Sequence, residues 1–62
     1  MALEQLLIST GFYYQPETDV YVNSDPVCDE LTHCYTQESP GKWLFVIEDE
    51  CGNIIEQKRF TE

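Results

Sequence analysis

Four residues of the chain are of the types that bind zinc, namely Cys28, His33, Cys34 and Cys51. Their spacing lacks the paired Cys-x2-Cys pattern with which structural zinc sites place two thiolates on one ion. Adjacent residues of a strand point to opposite sides of a sheet, so His33 and Cys34 cannot share an ion if that segment is a strand. We therefore expect no metal site, and a zinc-binding protein that uses the cysteines and the histidine is kept as an alternative.

The acidic run Glu48-Asp49-Glu50 is the other candidate for chemistry. Its spacing is not that of a calcium-binding loop, and a position in a turn favours three solvated carboxylates. The chain has one histidine to act as a general base beside a nucleophile, and 62 residues leave little volume for a shaped pocket. We predict that the protein is not an enzyme and carries no cofactor.

A β-hairpin between Lys42 and Phe60 is the element that should position most of these residues. The segment 43–47, Trp-Leu-Phe-Val-Ile, has the aromatic and β-branched composition of a strand. The segment Asp49–Gly52 matches a type I turn followed by glycine at positive φ. This loop sets Asp49 against Asn53 and predicts the cross-strand pairs Ile47–Ile55, Phe45–Gln57 and Trp43–Arg59. A shift of one residue sets Ile47 against Glu56, and we prefer the first register because it keeps apolar residues opposite one another.

The predicted hairpin has two unlike faces. We call the side that carries Trp43, Phe45 and Ile47 the tryptophan face, and the side that carries Leu44 and Val46 the valine face. The tryptophan face is the expected core, with Ile55 on it, and Arg59 is expected to stack on Trp43. A tight loop through Pro40-Gly41 would add Thr32, Cys34 and Thr36 to the tryptophan face, and would add Leu31, His33 and Tyr35 to the valine face.

The first part of the chain predicts a short helix and a first hairpin. Leucines at helical spacing and a following Gly11 indicate an amphipathic helix from Ala2 to Thr10. The segments 12–15 and 20–23 flank the turn residues Pro-Glu-Thr-Asp and form the hairpin. The string Gly-Phe-Tyr-Tyr-Gln-Pro-Glu-Thr-Asp-Val-Tyr resembles the tyrosine-rich hairpin repeat of octamer-repeat RNA-processing domains and RHS-type repeats, in which glycine usually stands at the position of Asp19. The resemblance implies a hairpin, and we carry over no function from it.

Two interpretations compete for residues 26–36. Val27, Leu31, Cys34 and Tyr35 have helical spacing, whereas the threonines and tyrosine of 32–37 favour a strand that leads into the next hairpin. We favour a turn at Pro26–Glu30, with Asp25 as its cap, followed by a strand. The predicted fold is then a single α+β domain over residues 1–62, in which a short N-terminal helix packs on a four- to five-stranded antiparallel β-meander.

Charge limits the partners that this chain can have. Twelve acidic and three basic residues give a formal net charge of −9, which repels phosphate backbones and anionic lipid. We therefore expect no nucleic-acid and no membrane partner. The N-terminus lacks the basic region of a signal peptide, no segment has the length of a membrane span, and an odd cysteine count favours reduced thiols. These features predict a cytoplasmic protein.

The expected function is that of a small protein-binding or regulatory module that acts through the valine face. One helix can cover one side of a sheet, so an apolar stripe on the other side is available to a protein partner or to a second copy in a homodimer. A further alternative is an acidic inhibitor that mimics DNA. The predicted interface consists of Leu31, His33, Tyr35, Leu44, Val46 and Ile54.

Overall fold

The computed structural model describes residues 3–62, which form one helix followed by an antiparallel sheet of five strands. Each strand pairs with the next one along the chain, so the strand order is that of a meander. The predicted small α+β fold, with its N-terminal helix and antiparallel sheet, is confirmed. The elements are α1 (Leu3–Ser9), β1 (Tyr13–Gln15), β2 (Val20–Ser24), β3 (Thr32–Ser39), β4 (Lys42–Glu48) and β5 (Ile54–Thr61).

Helix α1 lies at the tryptophan face and is held there by one buried leucine and by the end of the chain. Leu7 is 4% exposed, and the Glu62 Oε1 atom accepts hydrogen bonds from both the Leu3 backbone N–H and the Trp43 Nε1–H. A helix of this length is not stable alone, so these contacts are what maintain it. The predicted helix began at Ala2, which lies outside the described residues, and extended to Thr10, one residue beyond the observed end.

The first hairpin forms where it was predicted, from β1 and β2. Tyr14 and Tyr21 are opposite one another with ring centroids 4.8 Å apart, and the Tyr14 hydroxyl donates to Asp19 Oδ1 at 2.7 Å. Asp19 has a φ of 57°, in the left-handed region that glycine adopts most easily. An aspartate therefore occupies a glycine-like position in this turn, and its carboxylate bonds the tyrosine that precedes the turn.

The competition over residues 26–36 is decided for a turn and a strand. Asp25 Oδ1 accepts the backbone N–H groups of Val27 and Cys28 at 2.8 and 3.0 Å, so Asp25 caps this turn. The strand β3 then begins at Thr32 and pairs with both β2 and β4. Because a strand in the middle of a sheet satisfies its backbone groups on both sides, the sheet outweighs the helical spacing of the apolar residues.

The predicted facing of β3 is wrong, because a bulge at Glu38 shifts its alternation by one residue. Ser39 pairs with Lys42 as a tight loop requires, but the next pair is Gln37 with Trp43. His33 and Tyr35 therefore lie on the tryptophan face and not on the valine face, whereas Thr32, Cys34 and Thr36 lie on the valine face. The bulge turns aromatic rings toward Phe45 in place of small side chains, and this buries more apolar area.

The predicted register of the last hairpin is correct at its turn and wrong beyond it. Gly52 has a φ of 85°, its N–H donates to the Asp49 carbonyl, and Glu48 pairs with Ile54 as expected. A second bulge then leaves Ile55 without a partner, so Ile47 pairs with Glu56.

This second bulge also changes what lies opposite the tryptophan. Phe60 and not Arg59 faces Trp43, while Arg59 faces Leu44 and its Nε donates to Glu38 Oε1 at 3.1 Å. Ile55 is 55% exposed rather than part of the core. The bulge exchanges this isoleucine for the larger Phe60 on the core side, which is the more favourable burial.

The centre of the core is an aromatic cluster on the tryptophan face. Trp43 is 1% exposed and contacts Tyr21 with ring centroids 6.1 Å apart. Tyr35 is the hub of the other half, since it meets Phe45 at 4.8 Å, Phe12 at 5.4 Å and Phe60 at 6.1 Å. The two bulges are what bring these rings to one side of the sheet.

Candidate functional site

The strongest candidate site is an open groove of about 410 Å³ on the valine face. Val46, at 8% exposure, forms the deepest part of its floor. Residues from all five strands line the groove, so the sheet curves around it and the valine face is concave. The lining residues are Gln15, Thr18, Val20, Val22, Thr32, Cys34, Thr36, Val46, Glu48 and Ile54.

Strict alternation along the strands builds this groove. Val20 and Val22 of β2 flank Tyr21, whose ring points to the core on the other side. Cys34 pairs with both Val22 and Val46, so three small or branched side chains cross the groove floor in one row. The floor is therefore apolar and shallow, with threonine hydroxyls beside it.

The electrostatics of the groove are set by one carboxylate. Glu48 is the only charged residue among those of the described chain that line it, and no lysine or arginine is present in that set. Burial, followed by the nearby charge of Glu48, raises the pKa of the Cys34 thiol above its usual value. A thiol with a raised pKa stays protonated near neutral pH, so Cys34 packs in the groove floor as a small apolar residue.

A second groove, of about 460 Å³, lies on the tryptophan face beyond the area that α1 covers. Its floor consists of Tyr35, Phe45 and Phe60, and Glu56 and Lys58 of β5 form its outer side. Within residues 3–62, neither Glu56 nor Lys58 is part of an ion pair. At the edge of the sheet, this groove is therefore bordered by one negative and one positive side chain.

His33 and Asp25 form a close pair of ionisable side chains at the start of β3. His33 Nε2 lies 2.7 Å from Asp25 Oδ2, and the His33 ring meets the edge of Phe45. The N–H groups of Cys28 and Val27, and then His33, lower the pKa of Asp25, so its carboxylate is ionised and accepts a hydrogen bond that His33 Nε2–H donates. Within residues 3–62 the only side-chain hydrogen bond of His33 is to Asp25, so this pair fastens the 25–31 turn to β3.

The candidate metal ligands are dispersed in the structure. Cys28 lies in the turn before β3, Cys34 lies on the valine face and Cys51 lies at the tip of the last hairpin, and all three are free thiols. Over residues 3–62, no three His, Cys, Asp or Glu side chains come together in a group that could hold a metal ion.

The predicted interface residues are divided by the fold. Val46 and Ile54 line the groove of the valine face, and Leu44 is on the same face outside the groove. His33 and Tyr35 point to the opposite side, and Leu31 lies in the turn before β3. The structure thus keeps three of the six residues on one face.

Sequence reasoning missed the contribution of β2 to the groove. Val20 and Val22 alternate with Tyr21, and this period-two pattern was visible before the structure was known. With the correct facing of β3, this pattern would have placed Val20 and Val22 on the same face as Val46. The positions of Glu56 and Lys58 on the tryptophan face depended on the bulge at Ile55, for which the residues give no local signal.

The fold defines this protein as a small α+β meander with an apolar groove on one side of its sheet. Comparison with known proteins identifies no relative. The chain matches no protein-family model, no curated protein and no solved structure. Between residues 3 and 62, no helix combines the length and apolar character that crossing a membrane requires.

Proposed function

We propose that this protein is a non-catalytic binding module that holds an extended, basic and partly apolar segment of another protein in the groove of the valine face. The observation that carries the proposal is the lining of this groove, in which an apolar floor of valines is accompanied by a single charge, Glu48. Apolar side chains of the bound segment would fill the floor, and a lysine or arginine would meet Glu48.

The charge of the whole molecule supports the same class of partner. With a formal net charge of −9, the protein attracts a basic segment before contact and repels acidic ones. The concave shape supports an extended segment, because a strand-like peptide presents alternate side chains to such a floor. Binding of this kind needs no nucleophile, cofactor or metal.

The exposed isoleucines of β5 give a matched test of the site. Ile54 lines the groove and Ile55 does not, yet the two side chains are 56% and 55% exposed. The probe is a fluorescent synthetic peptide of alternating lysine and valine, measured by fluorescence anisotropy beside a glutamate–valine peptide. We expect the lysine peptide to bind more tightly than the glutamate peptide. Ile54→Lys should weaken binding of the lysine peptide about tenfold or more, through lost burial and added charge repulsion, and the control Ile55→Lys should weaken it less.

Glu48 supplies the second matched pair. Glu48→Gln and Glu50→Gln remove the same charge, but Glu50 lies in the hairpin turn outside the groove. We expect Glu48→Gln to weaken binding of the lysine peptide more than Glu50→Gln does, and the difference to shrink as salt is added. Equal effects within either pair of variants, or equal affinity for the two peptides, would contradict the proposed site.

A further inference from the structure

The open outer edge of β5 is a feature that the groove proposal does not use. In the part of the chain that the structure describes, β5 has a strand neighbour on one side only, so the backbone groups on its outer side are not used in the sheet. It runs over eight residues, whereas the opposite edge strand β1 has three. Long open edges are the sites at which another strand adds to a sheet.

The charges of β5 differ from those of the rest of the chain. Two of the three basic residues, Lys58 and Arg59, lie on this strand beside a single acid, Glu56. Self-association of a molecule with a net charge of −9 is opposed by repulsion, and that repulsion is smallest where the local charge is not negative. Of the two edge strands, β5 is therefore the better suited, by its length and its charge, to pair with a second copy of itself.

Symmetry limits how two β5 strands can pair. Opposite residues of an antiparallel pair point to the same side of the sheet, and a two-fold axis perpendicular to the sheet carries each face onto itself. A symmetric antiparallel pair is therefore centred on one residue, which lies opposite its own copy. Centring on Glu56, Lys58 or Arg59 sets like charges against one another, which destabilises the pair.

Centring on Gln57 has the opposite result. Glu56 then faces Lys58 of the second copy, and the symmetry produces this ion pair twice, on the tryptophan face. Neither side chain has an ion-pair partner within residues 3–62, so both are available.

We propose that two copies of this chain associate through antiparallel pairing of their β5 strands, centred on Gln57, to form one continuous ten-stranded sheet. The ion pairs between Glu56 and Lys58 select the register. The aromatic groove of Tyr35, Phe45 and Phe60 opens beside these two charged residues, so the grooves of both copies meet at the two-fold axis.

The experiment measures mass against protein concentration by light scattering for the wild type and charge variants, with circular dichroism as a check of folding. The wild type should approach twice the 7.2 kDa chain mass as its concentration rises. Glu56→Lys and Lys58→Glu each turn both ion pairs into like-charge pairs, and each should raise the dissociation constant about tenfold. An equimolar mixture of these two variants should restore the dimer as a heterodimer, because all its facing charges are again opposite.

Two controls separate this pairing from a general effect of charge. Lys42→Glu changes the net charge by the same amount as Lys58→Glu but lies on β4, so it should leave the dissociation constant near that of the wild type. The double variant that exchanges Glu56 and Lys58 keeps the net charge and should dimerise as the wild type does. A wild type that stays monomeric, a Lys42→Glu effect equal to that of Lys58→Glu, or a mixture that forms no heterodimer would overturn the proposal.

Discussion

At the scale of single residues, a few polar side chains fix the turns on which the sheet depends. Asp25 and Asp49 each accept backbone N–H groups of their own turn, and Asp19 accepts the hydroxyl of Tyr14 on the strand before its turn. Asp49 Oδ1 accepts the N–H groups of both Cys51 and Asn53, and these bonds lower the pKa of the Asp49 carboxyl. Short aspartate side chains suit this role because their oxygens reach the backbone two to four residues away.

The pH dependence of stability should reveal the role of Asp25. A carboxyl whose pKa is lower in the folded chain stabilises the fold above its ordinary value of 3.8, and this contribution is lost as the pH falls through the lower, folded value. Asp25→Asn should therefore be less stable than the wild type near neutral pH, and the difference should shrink below pH 3.8. Urea unfolding followed by tryptophan fluorescence over this pH range measures it.

The control for this prediction is Asp29→Asn in the same turn. Asp29 accepts no hydrogen bond from the side chains or the turn backbone of residues 3–62, so the substitution removes a charge without removing a cap. It should change stability less than Asp25→Asn does near neutral pH. A stability difference between Asp25→Asn and wild type that stays constant through the acid range would show that the cap does not act through its ionised carboxylate.

At the scale of elements, two bulges decide which side chains meet. Each adds one residue to a strand next to β4, and each moves an aromatic residue to the tryptophan face. The bulge at Glu38 also has a polar consequence, because Glu38 bonds Arg59 across the intervening strand. This ion pair is exposed, so it contributes little to stability, and the aromatic contacts are the larger effect.

Removal of the second bulge should be tolerated. Deletion of Ile55 leaves Glu48 opposite Ile54 and Ile47 opposite Glu56, so the ladder becomes continuous and no core pair is lost. The expected change in the free energy of unfolding is about 1 kcal/mol or less, the scale of an ordinary surface change. Nuclear Overhauser contacts between Trp43 and Phe60 should persist and would report the retained register.

Deletion of Leu44 is the matched comparison. It removes one residue from β4, which pairs on both sides, so the facing of every following residue changes against two strands at once. We expect this variant to be unfolded by circular dichroism. If the Ile55 deletion unfolds as well, the bulge is required for the fold and is not only a way to accommodate an extra residue.

At the scale of the whole molecule, stability is the balance between a small core and a large net charge. A domain of this size buries only about 60% of the surface that its unfolded chain exposes. Over residues 3–62 the residues of the buried core are Leu7, Trp43 and Val46. A net charge of −9 adds self-repulsion that opposes this compact state.

Salt should therefore stabilise the protein. Screening weakens repulsion among the acidic side chains more than it weakens the exposed Arg59–Glu38 pair, which contributes little. The melting temperature should rise between low ionic strength and about 0.15 M sodium chloride, where the screening length has fallen to about 8 Å. A melting temperature that falls over this range would show that attractive ion pairs outweigh the net charge.

Predictions that depended on neighbouring residues in the sequence succeeded, and those that depended on contacts between distant segments did not. The strand identities, the first hairpin, the Asp25 cap and the glycine of the last turn depend on neighbours in sequence, and these predictions are confirmed. The facing of His33 and Tyr35 depended on counting residues through a loop without error, and one bulge reversed it. Of the six residues of the predicted interface, the fold therefore keeps on one face only those that lie on β4 or beside the turn that follows it.

The sequence by itself determined the elements, their order and the acidic charge, because turn residues, strand propensity and net charge are local or additive properties. Only the tertiary structure decided which face of the sheet each side chain lies on. One extra residue at a bulge reverses the facing of every residue beyond it in that strand. The bulge at Glu38 is favoured by the burial of Tyr35 against Phe45, and the bulge at Ile55 by the burial of Phe60 opposite Trp43. Both contacts join different strands of the sheet. The same choice turned Cys34 and Val46 toward the groove and Glu56 and Lys58 toward the aromatic side of the sheet.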